Sequence, residues 1–245
     1  MSEARRVALV TGSARRIGAA IVRRLHAAGY DVAIHHRDSG ETAAALAAEL
    51  EHARGDSTLL LQCDLAQVDR LPGLVSRTAE RFGRLDALVN NASAFFPTEI
   101  GATTPAQWDE LFASNARAPF FLAQAAAPHL RATGGAIVNL VDIHAERALR
   151  GHAVYVMAKA ALVAMTQALA LELAPQVRVN AVAPGAVLWP DAGKSEAAQA
   201  AVLAQVPMAR LGDPTEVAET VRWLLMDAAY TTGQVVRVDG GRWLA

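Results

Sequence analysis

Tyr155 and Lys159 are the strongest candidates for chemistry in this sequence, because they stand four residues apart. Residues with this spacing lie on one face of a helix, so the phenol and the ammonium would project together. A phenol is a weak acid near neutral pH, and a neighbouring cation favours its deprotonation and eases proton transfer. The pair therefore fits hydride reduction, in which a cationic nicotinamide adds a second positive charge. The same spacing is also common on solvated helices.

A glycine segment near the N-terminus is the second candidate. Gly12 follows a short apolar segment, and Gly18 stands six residues later. Glycines between a strand and a helix let backbone N–H groups approach a diphosphate, whose charge the helix N-terminus favours. Arg16, beside Ile17, stands where the usual dinucleotide motif has a further glycine. These four residues predict a cofactor loop, although a plain tight turn would have the same composition.

The end of the second apolar segment bears on which nucleotide is bound. NAD enzymes usually place an acidic residue there for the ribose 2′-hydroxyl, and here the position holds His35. Arg37 and Ser39 offer a cation and a hydroxyl to a 2′-phosphate, which favours NADPH over NADH. Asp38 would repel that phosphate, and a solvated turn is the alternative interpretation.

Polar residues also follow the third and fourth apolar segments. Asp64, next to Leu65, is expected to accept a hydrogen bond from the adenine amine. Asn91, Ala92 and Ser93 are expected to line the nicotinamide side, because ligands bind at the carboxyl ends of parallel strands. Either segment could instead be an ordinary turn or helix cap.

Asn115 lies among apolar residues of a long predicted helix, close to Leu111 and Phe112. Its position indicates a local distortion of that helix with a hydrogen-bonding role. A buried asparagine with all its hydrogen bonds satisfied is the alternative.

The elements that must position these residues follow from the apolar pattern. Val-rich segments, nearly continuous in apolarity, alternate with Ala-rich helical stretches, as in a parallel sheet buried on both faces. The predicted strands are 7–10, 32–34, 58–61, 87–89, 136–141, 177–182 and 235–238. The predicted helices are 17–28, 41–51, 68–82, 105–131, 154–173 and 215–226.

This alternation predicts a doubly wound, Rossmann-type α/β fold with a mostly parallel seven-stranded sheet and helices on both faces. One NADP-binding domain is expected over residues 1–245. Residues 187–206, which include Pro190 and Gly193, break the alternation of strands and helices. They predict a loop and a short helix over the active site.

Composition excludes several function classes. The net charge is −1, without the basic excess of a general nucleic-acid binder. The single cysteine, Cys63, cannot form an internal disulfide, and Cys/His metal-site spacings are missing. No apolar stretch approaches the ~18 residues of a membrane span. We expect a cytoplasmic protein without a metal, a membrane or a nucleic-acid partner.

Taken together, these motifs resemble the short-chain dehydrogenase/reductase family over nearly the whole chain. The positions that carry the resemblance are Thr11, Gly12, Asp64, Asn90, Asn91, Ala92, Asn115, Tyr155, Lys159, Pro184, Gly185, Val238, Asp239, Gly240 and Gly241. The resemblance implies that Asn115 holds a water in a proton relay to Lys159. It also implies that Lys159 and Tyr155 contact the cofactor, and that Pro184 and Gly185 contact the nicotinamide.

The chain departs from the family pattern at three places. Asp142 stands thirteen residues before Tyr155, where the family has serine; Arg16 replaces a glycine; and Ser93 follows the Asn-Asn-Ala motif instead of glycine. All three departures are similar to the pteridine reductase subgroup, as are segments 11–18, 90–97 and 155–159. The subgroup, however, tends to place Arg next to a serine in the 2′-phosphate loop, where this chain has Asp38.

Membership of that subgroup implies NADPH-dependent reduction of a C=N bond in a dihydropterin or dihydrofolate. A ring nitrogen must then gain a proton, and an aspartate coupled to a tyrosine can relay it from water. The resemblance further implies that Phe95 stacks on the pterin and that Arg16 reaches both the cofactor phosphates and the pterin. The substrate candidates are Arg16, Ser93, Phe95, Asp142 and Tyr155.

Two other functions remain open: a carbonyl or 3-oxoacyl-thioester reductase of the same family, which Asp142 argues against, and a non-catalytic NADP-binding regulator. The family resemblance also implies a homotetramer. Helices 105–131 and 154–173 carry more apolar residues than one sheet face requires, although both could simply be buried on the sheet.

Overall fold

Seven parallel strands form one sheet in the computed structural model, which describes residues 5–189, 193 and 195–245. The strands are β1 (Val7–Val10), β2 (Asp31–His36), β3 (Thr58–Gln62), β4 (Ala87–Asn90), β5 (Ala136–Leu140), β6 (Arg178–Pro184) and β7 (Val235–Val238). Their order is β3-β2-β1-β4-β5-β6-β7. The predicted doubly wound α/β fold is confirmed, and every strand pairing is parallel.

Helices cover both faces of the sheet. They are α1 (Arg16–Ala27), α2 (Gly40–Ala53), α3 (Leu71–Phe82), α4 (Pro105–Phe112), α5 (Ala118–Thr133), α6 (Ala153–Leu173), α7 (Glu196–Leu203) and α8 (Pro214–Met226). One apolar core joins the sheet to α1, α2 and α8, and a second joins it to α3, α5 and α6. The strand order runs outward in opposite directions from β1 and from β4, so the carboxyl ends of these two strands border the crevice where such sheets bind ligands.

The helix predicted over residues 105–131 is divided in two. A π-helical segment, Ala113–Arg117, separates α4 from α5, at the place where Asn115 indicated a distortion. The Asn115 side chain is fully buried, and its Nδ2 donates to the Leu111 carbonyl oxygen at 2.9 Å and to the Ala94 oxygen at 2.9 Å. A side chain that binds the carbonyl one turn back competes with the regular helical ladder, which accounts for the widened turn.

The other boundaries differ from the prediction mainly at strand ends. β2 continues to His36, two residues beyond its predicted end, and β6 continues to Pro184. Of the loop predicted over 187–206, residues 190–192 and 194 lie outside the described residues, Pro190 among them. The predicted short helix is α7, which Ser195 caps by accepting a hydrogen bond from the Ala198 N–H.

Helix α6 is long and apolar enough to cross a membrane by length and composition alone, with a mean hydropathy of 1.6. The core helix of a soluble protein passes the same test. α6 packs along β6 and buries both Tyr155 and Lys159. Its role in the fold is therefore to bring these two side chains to the end of β5.

Candidate active site

A cavity of about 810 Å³ opens at the carboxyl ends of β1 to β4. Thirteen of the residues predicted from sequence line it: Gly12, Arg16, Ile17, Gly18, His35, Arg37, Ser39, Asp64, Leu65, Asn91, Ala92, Ser93 and Phe95. The other predicted residues, which are not among its lining residues, are Asn115, Asp142, Tyr155, Lys159, Pro184 and Gly185. The structure thus brings the nucleotide-binding candidates together along one wall.

The glycine turn after β1 is held from behind by the end of β4. Asn91 Nδ2 donates to the carbonyl oxygens of Thr11 and Gly12 at 2.8 and 2.9 Å, and Thr11 Oγ1 accepts from the Asn91 N–H at 2.9 Å. Gly12 has φ +58°, and a Cβ there would lie 2.8 Å from the Ala92 Cα. A Cβ on Gly18 would collide with the Gly12 oxygen and the Asn91 amide. The turn therefore requires glycine at both positions.

Arg16 begins α1 in the left-handed region, with φ +55°, which is unusual for a residue with a side chain. Its Nη2 donates to the Trp189 carbonyl oxygen at 3.1 Å. Arg16 thus connects the glycine turn to the segment after β6.

His35 supports the glycine turn with its ring, and its predicted contact with the cofactor stays a prediction. The Gly12 N–H donates to His35 Nδ1 at 3.0 Å, so the ring proton is on Nε2, which donates to the Cys63 oxygen at 3.0 Å. Burial lowers the pKa of His35 to about 4, so the ring is neutral at pH 7. Both nitrogens are engaged, and a neutral ring replaces the usual acidic residue.

The predicted 2′-phosphate subsite carries charges of both signs. Arg37 Nε donates to the Asp38 carboxylate at 2.7 Å, and both side chains are exposed. Sequence reasoning missed His36, which is buried, lines the cavity and has a buried Nδ1 without a hydrogen-bond partner within the described residues. The alternation of side chains along β2 was the available signal, since it directs His35 and His36 to opposite faces.

The cavity fits a nicotinamide dinucleotide on two observations. The glycine turn is so tightly packed that only its backbone can face a diphosphate. The buried His36 Nδ1 at the β2 end, which has no hydrogen-bond partner among the described residues, is the second, because a buried polar atom needs a ligand or a water as its partner. Asp64, the adenine candidate, lines the same wall, and its Oδ1 accepts from the Ala66 N–H at 2.9 Å. Within the described residues, no cluster of His, Cys, Asp and Glu is placed to hold a metal.

Tyr155, Asp142 and Lys159 meet at the end of β5. The Tyr155 hydroxyl donates to Asp142 Oδ2 at 2.7 Å, and the Lys159 ammonium donates to the Leu140 carbonyl oxygen at 2.8 Å. Both α6 side chains are buried, whereas Asp142 is half-buried and its Oδ1 accepts from the His144 N–H at 2.8 Å. The spacing of four residues has placed the phenol and the ammonium on the inner face of α6.

The surroundings of Tyr155 oppose the effect that was expected of Lys159. Lysine was expected to favour the phenolate, yet burial and then the Asp142 carboxylate raise the pKa of Tyr155 well above its usual value. Burial also lowers the pKa of Lys159 to about 8, against the opposing effect of Asp142. Tyr155 is therefore a protonated phenol at neutral pH, ready to donate its proton and not to accept one.

Ser93 connects Tyr155 to the π-helical segment. Its hydroxyl donates to Asn115 Oδ1 at 2.7 Å, and hydrogen bonding to Ser93 lowers the pKa of Tyr155, opposing the effect of Asp142. Asn115 is held by Leu111 and Ala94, as described above. The predicted role of Asn115 in a water relay to Lys159 stays a prediction.

Phe95 lies beside the tyrosine with 54% of its surface exposed. Its ring meets the Tyr155 ring edge to face at a centroid distance of 4.8 Å. Pro184 ends β6 and Gly185 follows it at the same edge of the sheet, where the Gly185 N–H donates to the Val238 oxygen at 3.0 Å. A Cβ on Gly185 would lie 2.7 Å from the Asp239 Cα, so this turn packs closely on the end of β7.

The arrangement can bind a dinucleotide along one wall and donate a proton at the far end, beside an exposed aromatic ring. Comparisons with known proteins agree with this geometry. A family model described as enoyl-(acyl carrier protein) reductase matches residues 12–242. A 3-oxoacyl-[acyl-carrier-protein] reductase of Staphylococcus aureus (strain Mu50 / ATCC 700699) is 36% identical over 242 residues, covering 97% of this chain and 98% of the relative.

Two further relatives cover similar shares. Pteridine reductase 1 of Leishmania tarentolae is 37% identical over 276 residues, covering 96% of this chain and 95% of the relative. A 3-oxoacyl-[acyl-carrier-protein] reductase of Synechocystis sp. is 36% identical over 239 residues, covering 96% of both chains. Overall similarity therefore does not distinguish the two activities, and the residues of the site must.

Proposed function

The chain belongs to the short-chain dehydrogenase/reductase family of oxidoreductases, and we propose that within this family it is an NADPH-dependent pteridine reductase. The observation that carries the proposal is the hydrogen bond of 2.7 Å between the Tyr155 hydroxyl and Asp142 Oδ2. The family resemblance implies a serine at this position in carbonyl reductases, where a neutral donor polarises the C=O bond.

The proposed reaction converts a dihydropterin, NADPH and one proton into a tetrahydropterin and NADP⁺. When bound, the cofactor supplies the hydride that is added to the carbon of a ring C=N bond. Tyr155 donates its proton to the ring nitrogen, and Asp142 passes a replacement proton to the phenol. A half-buried carboxylate in contact with a buried phenol is suited to this step, because it reaches towards solvent on one side.

This chain's residues divide the binding between two regions. The turn with Gly12, Arg16, Ile17 and Gly18 would hold the diphosphate, and Arg37 with Ser39 would hold a 2′-phosphate. Lys159 would hold the nicotinamide ribose. On the substrate side, Phe95 would stack on the pterin.

A 3-oxoacyl-thioester reductase is the second candidate, favoured by the Staphylococcus aureus and Synechocystis relatives. Tyr155 as a neutral phenol could polarise a carbonyl oxygen. The discriminating observation is again Asp142, because its negative charge beside the phenol disfavours the oxyanion that develops when a ketone is reduced.

The test is NADPH oxidation with 7,8-dihydrobiopterin, dihydromonapterin and dihydrofolate, alongside an acetoacetyl thioester, for the parent protein and Asp142→Ser. We expect pterin turnover by the parent and a loss of about 10²-fold or more in the variant, the lower range for general acid–base catalysis. Turnover of the thioester alone, or unchanged pterin turnover in Asp142→Ser, would contradict the proposal. If the parent oxidised NADPH with none of these substrates, the result would favour a non-catalytic NADP-binding regulator.

We further propose a cytoplasmic homotetramer. Large apolar side chains are exposed on α4, α5 and α6: Trp108, Phe120, Met157 and Leu171. Leu171 is 84% exposed near the end of α6. Apolar side chains grouped on neighbouring helices are typical of a subunit interface, and light scattering at micromolar protein tests the assembly.

A further inference from the structure

We infer that His152 is a positioning residue, which sets the orientation of the Phe95 ring relative to Tyr155 and thereby the affinity for a flat heteroaromatic substrate. The two rings stack in parallel, with centroids 4.7 Å apart and an interplanar angle of 14°. Aromatic pairs in this geometry contribute about 0.5–1.5 kcal/mol beyond the apolar area they bury. The inference rests on the proposed function for the identity of the substrate.

The side chain of His152 does not perform the task usual for its position. His152 is the N-cap of α6, where Ser, Thr, Asp or Asn commonly bind the first free N–H groups, yet its ring caps none of them. Its Nδ1 instead donates to the Arg150 carbonyl oxygen at 3.0 Å. This bond holds the imidazole over Phe95.

The backbones that carry the two rings are joined directly. The Thr98 N–H donates to the Gly151 oxygen at 2.6 Å, and the Val154 N–H donates to Thr98 Oγ1 at 3.3 Å. Thr98 and His152 also form a parallel β-bridge. The segment after Phe95 is therefore fixed to the N-terminus of α6, and Tyr155 lies in the first turn of that helix.

This arrangement couples two parts of the site. Phe95 contacts His152 on one side and the Tyr155 ring at 4.8 Å, while its remaining exposed surface lines the cavity. A ring left without His152 could rotate about its side-chain bonds. The substrate would then bind less tightly, although Tyr155 and Asp142 would keep their hydrogen bond.

The test compares three variants. His152→Ala removes the ring, His152→Phe restores a flat ring without the imidazole, and Arg150→Ala is the matched control, since the hydrogen bond to His152 uses the Arg150 backbone. We expect His152→Ala to raise KM for dihydrobiopterin roughly 2- to 12-fold, the equivalent of the aromatic pair, with kcat and KM for NADPH little changed. His152→Phe should restore KM, and Arg150→Ala should leave it unchanged.

A second measurement separates this inference from the proposed function. Incorporation of 4-fluorophenylalanine gives a ¹⁹F signal for Phe95, which a Phe95→Leu variant identifies. His152→Ala should shift and broaden that signal, whether or not a pterin is turned over, because a stacked ring shields its neighbour and restrains its motion. An unchanged Phe95 signal in His152→Ala overturns the inference, as does a shifted signal with unchanged KM in a protein that reduces pterins. Failure of pterin turnover in the parent overturns only the proposed function.

Discussion

At the end of β1 the cavity wall is backbone that side chains hold in place, whereas at the end of β5 the candidate catalytic side chains are held by backbone groups. His35 and Asn91 bind the peptide groups of the glycine turn. Conversely, the Leu140 carbonyl anchors the Lys159 ammonium, and the His144 N–H anchors Asp142. In the proposed function, the first region binds a cofactor that many enzymes share, while the second determines the proton transfer.

This difference predicts that changes at β5 alter the reaction and spare binding, whereas changes at β1 alter binding and stability together. Four variants or conditions test it, beginning with the largest expected effect.

Tyr155→Phe removes the proton donor and keeps the ring that packs on Phe95. We expect turnover to fall about 10²- to 10⁴-fold, the usual contribution of general acid catalysis, with NADPH affinity unchanged. Steady-state kinetics and fluorescence titration with NADPH measure the two effects. A near-normal rate would show that Tyr155 is not the proton donor. A large loss of NADPH affinity would contradict the prediction that changes at β5 spare binding.

Gly18→Ala tests the other region. The new methyl group collides with the Gly12 oxygen and the Asn91 amide, so the turn must open. Local strain of about 1–3 kcal/mol should lower Tm by several degrees and weaken NADPH binding on the order of 5- to 100-fold. The matched control is Gly73→Ala in α3, where a Cβ meets nothing within 4 Å. The comparison fails if both variants bind NADPH equally well.

Raising the pH should affect the β5 region alone. Lys159, with a pKa of about 8, is an ammonium below that pH and loses its charge above it. Since the cation stabilises the tyrosine as it gives up its proton, kcat/KM should decline above pH ~8, by up to about tenfold per pH unit for one ionisation. Lys159→Arg, which stays charged, should lack this decline at its lower overall rate. If kcat/KM of Lys159→Arg declined above pH ~8 as it does in the parent, the decline would belong to the ionisation of another group.

Asp38→Ser is expected to have the smallest effect. Asp38 binds Arg37 at 2.7 Å, and a 2′-phosphate must replace that contact. Because both side chains are exposed, the pair is worth about 0–1 kcal/mol, so KM for NADPH should fall no more than about 5-fold, with KM for NADH unchanged. A rise in KM for NADPH would show that Asp38 itself contributes to cofactor binding.

The fold was accessible from sequence because parallel strands buried on both faces are nearly continuous in apolarity. Short Val-rich segments such as β1 and β5 therefore stand out between helices. Asn115 indicated a helix distortion, and the structure has a π-helical segment there. Strand ends were less predictable: β2 includes the polar residues His35 and His36, which carry no apolar signal.

The candidate site was accessible only in part. Residue types and order led to Tyr155 and Lys159, and the family resemblance led to Asp142, which the structure joins to the phenol by a hydrogen bond. They did not reveal that His35 braces the glycine turn, or that His152 lies over Phe95. These contacts join segments that the sequence pattern does not relate.

The sequence by itself determined the alternation of strands and helices, the glycines that a tight turn requires, and the spacing that sets Tyr155 and Lys159 on one helix face. These features depend on local periodicity and backbone sterics. Only the tertiary structure decided the protonation of the site: Tyr155 is held as a phenol and the pKa of Lys159 is lowered to about 8. Such shifts arise from burial and from charges on other elements, which are known only once the chain is folded.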